Sequence, residues 1–590
     1  MTTTTLGQLL LNDALPSTHQ IKETTTKKHL NSLMADLART NPTRYTRAIT
    51  DLKRVGDAIA TDEGITTGLD DIAPDYAARD RIFAPGIAKI KSLRNPDARR
   101  RAIEQLQSQM VDLTRKHPGQ MAQTALSGAR GNVPQLMRTV TSPVAIVDDQ
   151  NNTVPWVISK SYAEGLKAPD AWIAMSEARR NAIESNTSVA APGEVNKILI
   201  GNMSDQIVST PDCGTTNGIT MSVDDLNAID RYDAKTGQRL TAQMLAGRKG
   251  TVIVRSPMTC EAGDGVCQKC YGLTTKGQSP QIGYNVGMIA AHAMGEPLTQ
   301  MTLSAKHATR TAASHKKVLQ GLEGFKQLTE IPQSFFNKAT LADQRGKVTN
   351  IKAAPQGGHY VHVNEAEHYV PPQLNVFVRK GDRVEPGDVL SDGIPKPDEI
   401  VKYKGLGAGR KYLVDQLSGI YERNGIDLDK KHLELLAKTD LNYVRIMDRD
   451  SARFGVARGD VINYNKFRLE VMKDSKPTPI KQAVGATLSD NVLHYTAGTH
   501  VTPAIVRDIQ QNGIQTVPIA PVPMNEPIMK PISRTPLLYP NWLAKLGHRN
   551  LKNTLLQGAA FGEAAEIHGA HPIPSFVFGE EFGEGPGGRY

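Results

Sequence analysis

The chain has 590 residues, 39% hydrophobic and 22% charged, with a formal net charge of +10 and a pI near 9.2. That length exceeds what one hydrophobic core serves, so several packed units are expected, and the basic surplus suits a polyanionic partner such as nucleic acid. Membrane spanning is excluded because no run approaches roughly 20 apolar residues, and 5% aromatics disfavours binding by stacked aromatic platforms.

In chain order, the start MTTTTLGQLLLNDALPSTHQ lacks a basic stretch followed by an apolar run, so it is not a secretory signal and a cytoplasmic location is expected. Residues 20–120 carry helical periodicity with many charges, as in ARRRAIEQLQSQMVDLTRKH. Glycines in SGARGNVPQ (127–135) break that pattern, and a long helix is expected from Leu166 to about Val189. Its end is soft: Ser185, Asn186, Thr187, Ser188 and Val189 are mediocre helix formers, and Pro192–Gly193 should kink or end it. A helix–loop–helix follows from Gly283 to Pro332. Alternation in HYVHV (359–363) and LNVFV (374–378), with turns at KGD and PGD, predicts strands between Ala339 and Val401. Helices return after Gly405, the tail GEEFGEGPGGRY reads as a disordered end, and no solenoid-type repeat appears. The class expected is α+β multidomain.

The four cysteines carry the clearest chemistry. Between Cys213 and Cys260 lie 46 residues, between Cys260 and Cys267 six, and between Cys267 and Cys270 two. Three thiolates on one short loop plus one from upstream complete a four-sulfur tetrahedron, the closed geometry of structural zinc. Unrelated buried thiols, or a redox CxxC, are the bland readings. One pattern that uses every cysteine argues against both, as the missing export signal argues against disulfides.

The segments PDCGTTNGI and VRSPMTCEAGDGVCQKCYG resemble the second zinc site of the β′ subunits of bacterial multisubunit RNA polymerases, with the upstream cysteine closer than is usual. IGYNVGMIAAHAMGEPLTQMTLSAKH (282–307) is similar to the start of that family's trigger loop. SGARGN (127–132) resembles the loop behind the active site, and Gly165–Leu199 aligns on the bridge helix. LNVFVRKGDRVEPGDVLSDG and IVKYKGLGAGRKYLVDQLSGIYERNGIDLDKKHLELL look like the segment before the C-terminal closing region. The match covers most of residues 60–440. Beyond 450 it is loose, although WLAKLGHRNLKNTLLQGAAFGEAAEIHG fits a last long helix.

The resemblance implies a C-terminal half of β′, divided into a rim-helix region (1–126), the loop behind the active site (127–164), bridge helix (165–200), zinc-binding region (201–281), trigger loop (282–335), barrel-sandwich β region (336–400) and a C-terminal helical or closing region (401–590). A bridge helix of that length runs roughly 40–50 Å, enough to cross a cleft, with Arg179 and Arg180 mid-helix and Ser185 and Asn186 in the soft stretch. It also implies that His307 meets the nucleotide phosphates, donating a proton or hydrogen bond to pyrophosphate or positioning it. Met301 and Leu303 would pack on the substrate base, beside Gln300. No acidic residue stands between Glu296 and Glu323, whereas Lys306, Arg310, Lys316 and Lys317 do, which suits a loop that visits a triphosphate. One departure is Ser304, where the family has arginine; Lys306 or Arg310 would replace that phosphate contact, the lysine only as a point charge. Ser304→Arg is therefore expected to raise the elongation rate, and an unchanged rate in a primed-scaffold assay would sink that idea.

Nucleotidyl transfer of this type uses two metal ions, one of them held by an aspartate triad. No DxDxD occurs here, and MDRDSARFG (447–455) has the wrong spacing and place. The catalytic Mg2+ is thus expected on a partner chain, as in the split β′ of large bacteriophages, plastids or cyanobacteria, with a phage source and host-cytoplasm or virion location favoured. Expected partners are an N-terminal β′ fragment, the β subunit or its fragments, a σ-like factor, the DNA template, the RNA product and nucleoside triphosphates. The alternatives are a zinc-bearing nucleic-acid-binding protein without catalysis, a lipoyl-type carrier (VRKGDRVEPGDVL lacks the modifiable lysine at its tip), and an inactive paralogue.

Overall fold

A computed structural model describes residues 4–64, 66–73, 76–146, 154, 156–187, 190–305, 321–447, 449–522, 525–539, 542–545 and 551–562. These fold as two compact units, one ending at Thr187 and the other beginning beyond it.

The first unit is helical, as the periodicity predicts. The helices Tyr76–Ser92 and Pro96–Thr114 pair around Phe83, Ile90, Ile103, Leu106 and Met110, all buried, and Met137 from the Val133–Val140 helix closes that core. Asparagine or threonine caps begin several of these helices; Asn132, for example, accepts from the Gln135 N–H at 2.8 Å. The SGARGN segment turns between two helices with Gly128 and Gly131 at positive φ. The Ala168–Thr187 helix carries Glu177, buried and paired with Arg138 at 2.9 Å.

The second unit begins with the Ala190–Met203 helix. This helix runs on through Pro192–Gly193, where a kink or an end was expected, and Pro192 stands near its described start, where a missing N–H costs least. Asn285 caps the Val286–Ala305 helix, accepting from the Met288 N–H at 2.9 Å. The two helices touch backbone to backbone. Gly287 donates to the Gln206 carbonyl at 2.9 Å, and Asn285 Nδ2 to the Ser204 carbonyl at 2.8 Å. A Cβ at position 287 would lie 1.8 Å from the Met203 carbonyl oxygen, and one at 295 would lie 2.3 Å from Asn196 Oδ1. A backbone oxygen cannot yield as a side chain can, so Gly287→Ala must separate the helices. We expect a loss of about 3 kcal/mol in urea unfolding. Gly56→Ala, in an open helical position, is the control and should gain about 0.5–1 kcal/mol; equal shifts would refute the close-packing account.

The expected β region is a four-stranded antiparallel sheet in the order Ala366–Val370, His359–Val363, Gly346–Ala353, Arg383–Val384. Val348, Val361, Val363 and Val370 alternate inward onto Leu374, Val384 and Leu390. LNVFV is not a strand as predicted. Asp392 fixes Asn375 through two side-chain hydrogen bonds of 2.6 and 2.9 Å, and beyond that the segment forms an isolated bridge between Val376 and Ser391. Two further sheets lie beyond residue 440, within the span expected as a C-terminal helical or closing region. Tyr443–Ile446 is central between Val461–Asn463 and Asn525–Ile528, and Lys476–Pro479 pairs with Thr516–Ile519, proline facing proline at 477 and 518. Of the segment that fits a last long helix, the described residues are the helices Trp542–Lys545 and Leu551–Phe561; residues 546–550 and those from 563 on lie outside the described residues.

Candidate metal centre and the helices around it

Parallel pairing of Val208–Thr210 with Val266–Cys267 carries Cys213 to the CxxC loop. Gly265, at φ +57° with the Ile207 carbonyl 2.0 Å from where a Cβ would stand, makes the turn that lets Cys260 and Cys267 face each other. Cys267 then caps the Gln268–Tyr271 turn, its sulfur accepting from the Cys270 N–H at 3.3 Å, while its own N–H reaches Cys260 Sγ at 3.3 Å.

The four sulfurs lie within 4.8 Å of one another, with Cys213–Cys270 at 3.7 Å and Cys213–Cys260 at 3.8 Å. A zinc tetrathiolate with bonds of about 2.3 Å has S–S edges of about 3.8 Å, so the cluster fits that ion. Cys260, Cys267 and Cys270 are buried and Cys213 half-buried. Burial pushes the Cys260 and Cys270 thiols up, whereas hydrogen bonds from the other three sulfurs favour the thiolate at Cys213. A divalent ion would neutralise all four as thiolates and release their protons.

Around the sulfurs stand residues that the spacing of the cysteines does not reveal. Arg255 donates to Cys213 at 3.1 Å, Cys267 at 3.6 Å and Cys270 at 3.4 Å, and its Nη1 meets Asp212 at 2.7 Å. Lys269 holds the second Asp212 oxygen at 2.7 Å. Burial acts to raise the Asp212 carboxyl, but hydrogen bonds from Lys269, the Gly214 amide and Arg255 hold it down at about 2. Two of these charges were visible in VRSPMTC and CQKC, but nothing local says that they gather around the sulfurs.

The Lys430–Asp440 helix grips this loop from behind. Its text, KKHLELLAKTD, reads as a surface helix, yet Lys431–Asp440 are all buried. Three of its charges are answered by the cysteine-bearing segment, whereas Asp440 accepts from the Thr535 hydroxyl at 2.6 Å. Lys438 donates to the Gly265 carbonyl at 2.6 Å and Lys431 to the Leu273 carbonyl at 2.8 Å. Glu434 accepts both Arg231 amines, at 2.6 and 2.8 Å, and the Ser256 hydroxyl at 2.6 Å. Arg410, fully buried and pushed down to about 10 by burial, donates to the Met258 carbonyl at 3.0 Å, two residues before Cys260. Breaking a buried pair strands its partner charge. Glu434→Ala should cost about 3–5 kcal/mol in urea unfolding, and the double variant Arg231→Met/Glu434→Met distinctly less; equal losses would refute the stranded-charge explanation.

The cysteines are thus brought together as predicted. The other candidate residues divide. Gln300 is exposed on the Val286–Ala305 helix, 3.4 Å from Glu296, and Leu303 lies in its last turn. Met301 is 4% exposed and sits in the core with Leu298, Leu322 and Phe325, although the resemblance implied a face offered to a base. His307 lies outside the described residues, as do Lys306 and Arg310. Arg179 is exposed on the Ala168–Thr187 helix, which also carries Arg180, Ser185 and Asn186.

The family model described as RNA polymerase Rpb1, domain 5, matches residues 165–360 and 347–470, the stretch that holds both helices, the four cysteines and the sheet. The chain belongs to this family. It is similar to proteins named DNA-directed RNA polymerase subunit beta′ from Kocuria rhizophila, 28% identical over 525 residues covering 79% of this chain and 40% of the relative. The corresponding protein of Moorella thermoacetica is 28% identical over 499 residues, 76% of this chain and 42% of the relative. That of Heliobacterium modesticaldum is 26% identical over 526 residues, 80% and 44%. The chain spans about 40% of the length of the curated relatives it matches. As a member of the Rpb1 domain 5 family it combines helix and sheet around a four-cysteine cluster able to hold a metal ion. No helix among the described residues is long and apolar enough to cross a membrane.

Proposed function

We propose that this chain is the C-terminal part of the β′ catalytic subunit of a DNA-dependent RNA polymerase, supplying bridge helix and trigger loop to template-directed ribonucleotidyl transfer. The observation that carries the reading is the glycine-mediated seating of the Ala190–Met203 helix on the Val286–Ala305 helix. It roots the end of the bridge-helix segment and the first arm of the trigger loop in one core, next to the metal centre. In this reading Arg179, Arg180, Ser185 and Asn186 face nucleic acid along the bridge. Gln300 and Leu303 reach the nucleotide, Met301 fixes the base of the arm, and His307 serves the pyrophosphate leaving group. The cysteines hold structural zinc, which stiffens the loop and takes no chemical step because no coordination position is open.

The magnesium-binding aspartates lie outside these 590 residues, which hold no DxDxD loop. The enzyme is then completed by an N-terminal β′ fragment and by β or its fragments, with a σ-like factor at initiation, in the cytoplasm of a cell or of a phage-infected host. The test is purification of the chain from its native source, followed by nucleotide incorporation on a primed DNA–RNA scaffold. Recovery with such partners, and template-dependent incorporation, is the expected result. DNA binding without those partners or incorporation would instead leave a zinc-bearing nucleic-acid-binding protein.

A further inference from the structure

We propose that Arg255 is a positioning residue of the metal centre: its guanidinium, spread over three of the four sulfurs, sets their charge and governs how fast the metal leaves. A zinc ion with four thiolates carries a net charge of about −2, which is costly to bury without a compensating cation. Arg255 is that cation, only 3% exposed. One edge of its planar fork, Nε and Nη2, faces sulfur at 3.1–3.6 Å, and Nη1 faces Asp212 at 2.7 Å. Asp212 is itself held by Lys269 at 2.7 Å, so the guanidinium plane is fixed from both sides. The remaining sulfur, Cys260, takes its hydrogen bond from the Cys267 N–H. The shortest Arg255–sulfur contact is to Cys213, the half-buried sulfur that an incoming chelator meets first.

Withdrawing electron density from a thiolate weakens it as a nucleophile and damps its exchange with competing ligands, and removal of such outer partners typically costs 10–100-fold in metal affinity. In the purified full-length chain, Arg255→Met is expected to speed zinc transfer to a chromogenic chelator by roughly 10–100-fold. Arg255→Lys should fall between, because it keeps the charge but not the fork. In the cobalt-substituted chain the thiolate-to-metal charge-transfer bands of Arg255→Met should move to lower energy, as sulfur lone pairs freed of N–H donors are easier to oxidise. Asp212→Asn, which touches no sulfur, should give a smaller change of the same sign and serves if Arg255→Met does not fold.

A release rate within about twofold of the parent chain overturns the proposal. So does faster release with unmoved bands, which would report a loosened fold. The inference rests on the reading of the cluster as a zinc site, and the two fail differently. A parent chain that purifies without zinc sinks the zinc reading, whereas a zinc-loaded Arg255→Met chain with parental release and bands sinks only the role of Arg255.

Discussion

Cys267→Ser is expected to abolish stoichiometric zinc binding and to unfold the metal-bearing unit under conditions where the parent chain is stable. Closed structural zinc sites contribute about 10–16 kcal/mol of apparent binding free energy in small peptides, and that energy is folding energy when the site is absent from the unfolded chain. Here Cys260, Cys267 and Cys270 also belong to the main core, with Met294, Leu298, Tyr421 and Leu436, so loss of the ion loosens what they pack against. The sign with pH follows from the ligands. Protons compete with zinc for thiolate, so the stabilisation is present at neutral pH and lost as pH falls. Metal analysis and urea unfolding followed by circular dichroism, with and without a strong chelator, check this. A chelated chain with an unchanged unfolding midpoint would refute a structural role for the metal. The core built on Phe83, Ile103 and Met110 contains no cysteine and should survive zinc removal.

His307→Ala carries the second large effect. A side chain that donates a proton or hydrogen bond in the transition state typically contributes 10²–10⁴-fold. The assembled enzyme with His307→Ala is therefore expected to incorporate nucleotides about 10²–10⁴-fold more slowly at saturating substrate. If His307 acts as a proton donor, His307→Gln, which keeps a hydrogen-bond donor without a titrating group, should remain slow and flatten the pH–rate profile. If it only positions pyrophosphate, His307→Gln should recover most of the rate. A parental rate in His307→Ala removes the residue from the mechanism altogether.

The four-cysteine cluster was legible in the sequence because its chemistry is local. Cys260, Cys267 and Cys270 fall within one turn-rich loop, and spacing alone puts three sulfurs within reach of one ion. The helices were legible for the same reason, since periodicity and caps such as Asn132 and Asn285 act over a few residues. Strand pairing was less so. The alternation of His359–Val363 was visible, but the pairing of Lys476–Pro479 with Thr516–Ile519, whose prolines disfavour a strand reading, was not. LNVFV had the pattern of a strand without the neighbours.

What only the tertiary structure decided is where charge and apolar surface end up. KKHLELLAKTD has the composition of a solvated helix. It is buried because Gly265, Leu273, Arg231 and Ser256, more than 150 residues upstream, supply partners for Lys438, Lys431 and Glu434, and Thr535 downstream one for Asp440. Met301, apolar in a segment expected to face substrate, is instead claimed by the core. The contact between Gly287 and the Met203 carbonyl is equally invisible in one dimension. The sequence by itself determined the family, the four-cysteine cluster and most helices, since those depend on short-range spacing. The grip of Arg255 and Glu434 on the metal loop had to await the fold, because a buried charge is stable only where distant segments bring it a partner.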